Sequence, residues 1–186
     1  MVGFEWINDI VQVIFSFVPR ILIVRATHGG LKWVLGSRVK ELKPGIYFWW
    51  PLTTEICVLP TARQTLNTRT QALMSNDLKE VVAGGVVVYS IHDIVMAIGQ
   101  RNWDVDTTVK DITQAAIVEV ITKWGIQDLM NNISGKVKEE LTQTCRKELR
   151  QFGVYVHKVA LTDYSTCKAF NVMGTGGTIP VAEEEE

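Results

Sequence analysis

Histidine and cysteine have the widest chemical repertoire in this chain: an imidazole can shuttle protons or ligate a metal, and a thiolate can attack or ligate. Their spacing supports neither role. His28, His92 and His157 are scattered, and none has a second His, Cys or carboxylate at metal-ligand spacing except the neighbours His92-Asp93, whose side chains diverge on most backbones. They read as turn or strand histidines. Cys57, Cys145 and Cys167 are odd in number and lack a CxxC spacing, which argues against a disulfide framework and a thiolate metal site and for a reducing compartment. Cys145 falls on an apolar helical stripe and reads as a core residue. No GxSxG, HExxH or P-loop occurs, and Gly174-Thr175-Gly176-Gly177 imitates a phosphate cradle only superficially, because no helix follows it. The reading is therefore no catalytic residue, no metal site and no cofactor. A soluble enzyme, the weaker class, would need a polar pocket with perturbed titratable groups.

The strongest chemical signal is apolar. Pro44-Gly45-Ile46-Tyr47-Phe48-Trp49-Trp50-Pro51-Leu52 holds five large apolar or aromatic residues between two prolines. Pro44-Gly45 reads as the central pair of a type II turn, since Pro presets φ and Gly accepts positive φ. A strand then begins at Ile46, and Pro51 ends it. Consecutive bulky side chains on a strand point to both faces, so each face needs cover: the core for one, and a helix, another subunit or a lipid surface for the other. With 186 residues, 47% hydrophobic and 21% charged, the chain suits one ordered domain with a small appendage. A net charge of −1 supplies no field to draw nucleic acid, which is excluded as a partner.

The elements around that stretch follow from periodicity. Residues 4–24 are the most hydrophobic region. A helix from Ile7 to Val18 would span roughly 18 Å against a hydrocarbon core of about 30 Å, too short to cross straight. Ile7, Ile10, Val11, Ile14, Phe17 and Val18 share one helical face, which Val13 and Phe15 widen. This suits an interfacial membrane helix with Phe4 and Trp6 at headgroup depth and Arg20 at the boundary; a core-packing helix is the alternative. The start lacks the basic region of a signal peptide, and Gly3 is misplaced for myristoylation. After Pro19, period-two segments predict strands at 21–27, 31–35, 46–50, 54–59, 63–68 and 78–91, with Gly84-Gly85 marking a bulge or a close backbone approach. From Asp93 the period becomes helical. A brief helix covers 93–99, and a longer one, capped by Asp106 or Thr107, runs to Trp124 with Gly125 as its C-cap. A third helix spans 135–152 with Val137, Leu141, Cys145 and Leu149 inward, Gly153 stops it, and a returning strand covers 154–161. Strands, then helices, then a strand describe an α+β fold built on a mostly antiparallel twisted sheet. Residues 1–19 form the membrane-association segment, 20–170 the domain, and 171–186 a Gly-rich, acidic tail expected to be disordered.

The order of these parts resembles the SPFH or Band 7 domain of stomatins, prohibitins, flotillins and the bacterial HflK/HflC proteins. The resemblance runs from Val24-Arg25 through Gly30, Gly36, the Pro-Gly-Ile-Tyr-Phe-Trp-Trp-Pro segment, Pro60 with Arg63-Gln64, and Val86 to Asp93. It ends on Phe152-Gly153-Val154 and Val159 to Asp163, so it covers about residues 20–165. It implies a non-catalytic, membrane-associated scaffold, monotopic or peripheral, with its folded domain on the cytoplasmic side. Its partners would be membrane lipids, further copies of itself in rings, arcs or cages, and a membrane protease or channel. By position, residues 4–24 match the family anchor. Pro44, Gly45, Tyr47, Phe48 and Pro51, together with Trp49 and Trp50, match the segment near the membrane face. Most members continue into a long helix or coiled coil, whereas glycines and glutamates follow Phe170 here. An adaptor that docks through Glu183–Glu186 or a helical face is the second reading.

Overall fold

The computed structural model describes residues 18–99 and 104–165. Phe4, Trp6, Ile7, Ile10, Val11, Ile14, Phe15 and Phe17 of the expected membrane helix therefore lie outside the described residues, as does the acidic tail; Val18 is described and exposed.

The fold is α+β, and every strand pair is antiparallel. The strands are divided among three ladders. β1 (Arg20–Val24) pairs with β4 (Gly45–Trp49) as a two-stranded ribbon. β2 (His28–Val34) lies between β3 (Arg38–Leu42) and β5 (Thr54–Pro60). β8 (Glu80–Ile91) carries β6 (Gln64–Asn67) and β7 (Gln71–Met74) along one edge and β9 (Val154–Ser165) along the other. A wide helical turn at Val95–Gly99 precedes three helices, α1 (Val105–Lys123), α2 (Ile126–Asn132) and α3 (Lys136–Leu149).

The core lies where α1 and α3 cover the β8–β9 pair. On β8 it is Val81, Ala83, Val87, Tyr89 and Ile91 that are buried, as period two requires. On β9 the buried valines are Val154, Val156 and Val159, a step that breaks the period. The register explains it: Tyr89 pairs with Val156 while Val88 pairs with Lys158, so His157 is the extra residue of a bulge. One inserted residue flips the parity of everything after it, and here it returns Val159 to the core face. A second irregularity opposite Gly84 and Gly85 leaves Thr162 as the extra residue, on the partner of the strand where it was expected. Gly85 is instead a close approach: its N–H donates to Thr68 Oγ1 and its carbonyl accepts from Thr68 N–H, each at 2.8 Å.

Helix α3 covers the free edge of β9 as well as its face. Arg146 donates from Nε to the Val156 carbonyl at 2.7 Å and from a terminal nitrogen to the His157 carbonyl at 3.0 Å, and Val159 N–H donates to Thr142 Oγ1 at 3.1 Å. Backbone groups that a bare edge strand would offer to another chain are thus partnered internally. All four residues of the apolar stripe, Val137, Leu141, Cys145 and Leu149, are fully buried.

Several local expectations fail. Gly45 has no positive φ and pairs with Val24 inside β4, so Pro44-Gly45 is a strand entry and no type II turn. The α1 cap is Asp104, whose carboxylate accepts from Asp106 N–H at 3.0 Å and Thr107 N–H at 3.4 Å. Asp106 is unavailable as a cap because its own carboxylate takes the hydroxyl of buried Tyr89 at 2.5 Å. Gly125 sits at φ −71° as the residue before α2, and α1 ends on an extended Trp124. Strands β3 and β7 were not foreseen, since segments this short and of mixed polarity carry little periodicity.

Two turns carry backbone of opposite quality. Gly153 ends the α3 region at φ +68°, and its carbonyl accepts from the N–H groups of His92 and Asp93. A Cβ there would collide with the Asp93 carbonyl oxygen. Leu78 takes φ +57° after the Ser75-Asn76-Asp77 turn, where glycine or asparagine is the unstrained choice. Gly153→Ala is expected to lower stability by about 2–4 kcal/mol and Leu78→Gly to raise it by about 0.5–1 kcal/mol, measured as opposite shifts in the urea midpoint.

Candidate functional site

Antiparallel pairing sends directly opposed side chains to the same side of a ribbon. In β1–β4 the pairs are Ile21 with Phe48 and Ile23 with Ile46. All four are about two-thirds exposed, at 62%, 66%, 66% and 67% respectively. The alternate residues Leu22, Val24 and Tyr47 turn toward the protein, and the Tyr47 hydroxyl donates to the Lys43 carbonyl at 2.9 Å. The ribbon thus has one face attached to the domain and one apolar face that no described residue covers.

The tryptophan pair divides across that alternation. Trp50 is half exposed, with Leu52 exposed just after Pro51, while Trp49 is partly buried on the other side. Pro44 is exposed before β4. Ile21, Ile23 and Ile46 are the site residues that sequence reading missed; each is an ordinary strand residue alone, and only the register assembles them. Leu35 adds a seventh apolar group, near Leu52, its N–H donating to the Thr53 carbonyl at 2.8 Å. It stands with Gly36 in left-handed backbone, at φ +51° and +70°, in the three-residue loop between β2 and β3, and is 74% exposed. Asparagine would fit that backbone better, so the leucine stands there against local preference. Arg20 opens β1, Arg25 follows it and Lys43 precedes β4 by two residues; all three are exposed.

Among the described residues the cysteines and histidines lie apart from one another and each is placed by its own surroundings. Burial, and then Glu55, push the Cys57 thiol up, and burial lifts Cys145 to about 11, so neither is a ready thiolate. Cys167 lies outside the described residues. His157 Nε2 is 2.9 Å from Ser90 Oγ, and its ring meets Tyr155 edge-on at 4.9 Å. Among the described residues no three His, Cys, Asp or Glu side chains gather as a metal site would need, and no helix is long and apolar enough to cross a membrane.

The SPFH domain / Band 7 family profile matches residues 22–172, from within β1 to beyond β9. The chain belongs to the SPFH/Band 7 family. Two archaeal relatives align over 158 residues, or 85% of this chain: an uncharacterized protein of Archaeoglobus fulgidus at 22% identity and one of Methanocaldococcus jannaschii at 23%. The chain spans 63% of the first relative's length and 78% of the second's. Within this SPFH domain, Gly45, Tyr47, Phe48 and Trp49 form β4, and Pro44, Trp50 and Pro51 bracket it.

His157 supplies a pH dependence inside the fold. Burial, followed by the Arg63 and Arg146 charges, holds its pKa below the ordinary value. The neutral imidazole is then favoured by the folded state, so the contribution is complete above the unfolded histidine pKa and declines as pH falls through it toward the lower folded value. His157→Gln is expected to flatten the loss of stability between about pH 7 and 5.5 relative to the parent chain, read from urea midpoints across that range.

Proposed function

We propose that this SPFH domain is a non-catalytic, membrane-attached scaffold that assembles laterally and organises lipids and partner proteins. The observation that carries this reading is the uncovered face of Ile21, Ile23, Ile46 and Phe48, with Trp50, Leu52 and Leu35 beside it. Scattered single apolar residues are ordinary on a surface; a contiguous set from a hydrogen-bonded register marks an interaction site. Lipid suits it because both strands are short, basic residues flank them, and β1 directly follows the amphipathic 4–18 stretch of the sequence.

Magnitudes favour assembly as well. Full burial of a large aliphatic or aromatic side chain contributes about 1.5–3 kcal/mol, so four of them offset the several kcal/mol cost of association with little to spare. One copy would attach reversibly. Several copies on one surface would attach firmly through multivalency.

The test is flotation of the full chain with liposomes containing anionic lipid. Ile23→Glu with Phe48→Glu is expected to weaken binding by roughly tenfold or more, since each removes apolar burial worth more than 1.4 kcal/mol and adds a charge. Leu78→Glu, an equally exposed leucine on the β7–β8 turn, should leave flotation unchanged. Leu35→Asn should weaken flotation while raising stability by about 0.5–1 kcal/mol. Unaltered flotation of the Ile23/Phe48 variant would remove the membrane assignment.

A further inference from the structure

A groove of about 740 Å³ opens where the Val95–Gly99 turn, the last turns of α3 and the start of β9 meet. None of its lining residues belongs to the β1–β4 ribbon. Its walls combine two chemistries. Met96, which is 48% exposed, and Tyr155, also 48% exposed, give it apolar surface together with Val154 and Val156. Arg146, Lys147 and Arg150 stand along one side on consecutive turns of the α3 region. Arg146 is fixed there by its two bonds to β9 carbonyls and by its guanidinium lying 5.3 Å from the centre of the Tyr155 ring, with further N–H donors unspent. The one lining carboxylate, Asp93, accepts the Met96 N–H at 3.0 Å and so serves the wide helical turn.

Such a groove recognises an extended segment with a few apolar side chains followed by carboxylates. The chain itself contains one. Ile179-Pro180-Val181 precedes Glu183-Glu184-Glu185-Glu186, and these residues lie outside the described ones. Reach is sufficient. β9 runs for 12 residues from the groove at Val154 to Ser165, about 40 Å at ~3.3 Å per residue. Glu183 stands 18 residues beyond Ser165 and can be carried up to about 60 Å by an extended chain.

We propose that the 179–186 segment docks in cis into this groove, with Ile179 and Val181 against Met96 and Tyr155 and the glutamates against Lys147 and Arg150. Charge-assisted contacts to Arg and Lys give orientation, and the apolar pair gives burial. The groove is then self-covered, and any acidic segment of another protein must compete with a tethered one at high effective concentration. This inference does not rest on the membrane reading.

Carbodiimide coupling tests it, because the reagent joins a lysine amine to a carboxylate only when the two are in contact. The full chain is mixed as equal parts ¹⁴N and ¹⁵N protein, coupled at low concentration, and mapped by mass spectrometry. The expected result is a bond between Lys147 and one of Glu183 to Glu186 within a single isotope. Its yield should exceed that to the exposed Lys40 and fall by roughly fivefold or more in Arg150→Glu and in Met96→Glu chains with unchanged melting. The inference is overturned if Lys147 couples no better than Lys40, if its bonds cross isotopes, or if the yield is indifferent to both variants.

Discussion

Side chains that face each other across an antiparallel pair must lie on the same side of it, and in β1–β4 that rule leaves Ile21, Phe48, Ile23 and Ile46 on a face that no described residue covers. The proposed membrane attachment depends on this. A two-stranded ribbon is marginal on its own. It is tolerable here because Val24 is buried and Leu22 and Tyr47 are partly buried on the inward face. The outward face then remains as apolar surface that no described residue covers, and the bilayer is the surface we propose for it.

Behind the ribbon, the rest of the domain is built for rigidity. β8 and β9 pair along most of their length, and the bulge at His157 keeps the β9 valines on the core face. Helix α3 then closes the β9 edge with Arg146 and Thr142, so that one strand end is withheld from edge-to-edge association. Asp77 ties the β7–β8 turn to the helical half: its carboxylate accepts from Ser75 Oγ at 2.5 Å and from Ile126 N–H at 3.1 Å. The hydrogen bond from Ser75 is the chief reason its pKa lies below the ordinary range. Polar groups in this protein are spent on joints, which suits a domain that positions surfaces.

Much of this was legible in the sequence, for physical reasons that also explain the rest. Long elements with one clean period were readable: the apolar stripe of α3, the stop at Gly153, the valine-rich β8 and the returning β9. The order of those parts was enough to point to the family. Features decided by competition between distant groups were not. Asp106 loses the cap position to Asp104 because Tyr89, 17 residues earlier, claims its carboxylate. Gly45 is drawn into a strand by Val24, a partner no local turn rule includes. The site shows the same limit. The aromatic run stood out by composition, yet the alternation of β4 turns Trp49 inward, and the exposed partners Ile21 and Ile23 come from a strand whose register a linear reading does not supply.

The most direct measurement is of depth at the ribbon itself. A nitroxide attached through Phe48→Cys, compared with one attached through Leu78→Cys on the β7–β8 turn, reports by power saturation whether each site meets lipid-soluble oxygen or a water-soluble nickel chelate. With the full chain on anionic liposomes, the label at position 48 should be oxygen-accessible and shielded from nickel, and the label at position 78 should show the reverse. Equal nickel accessibility at the two positions on bound protein would contradict the lipid-facing ribbon.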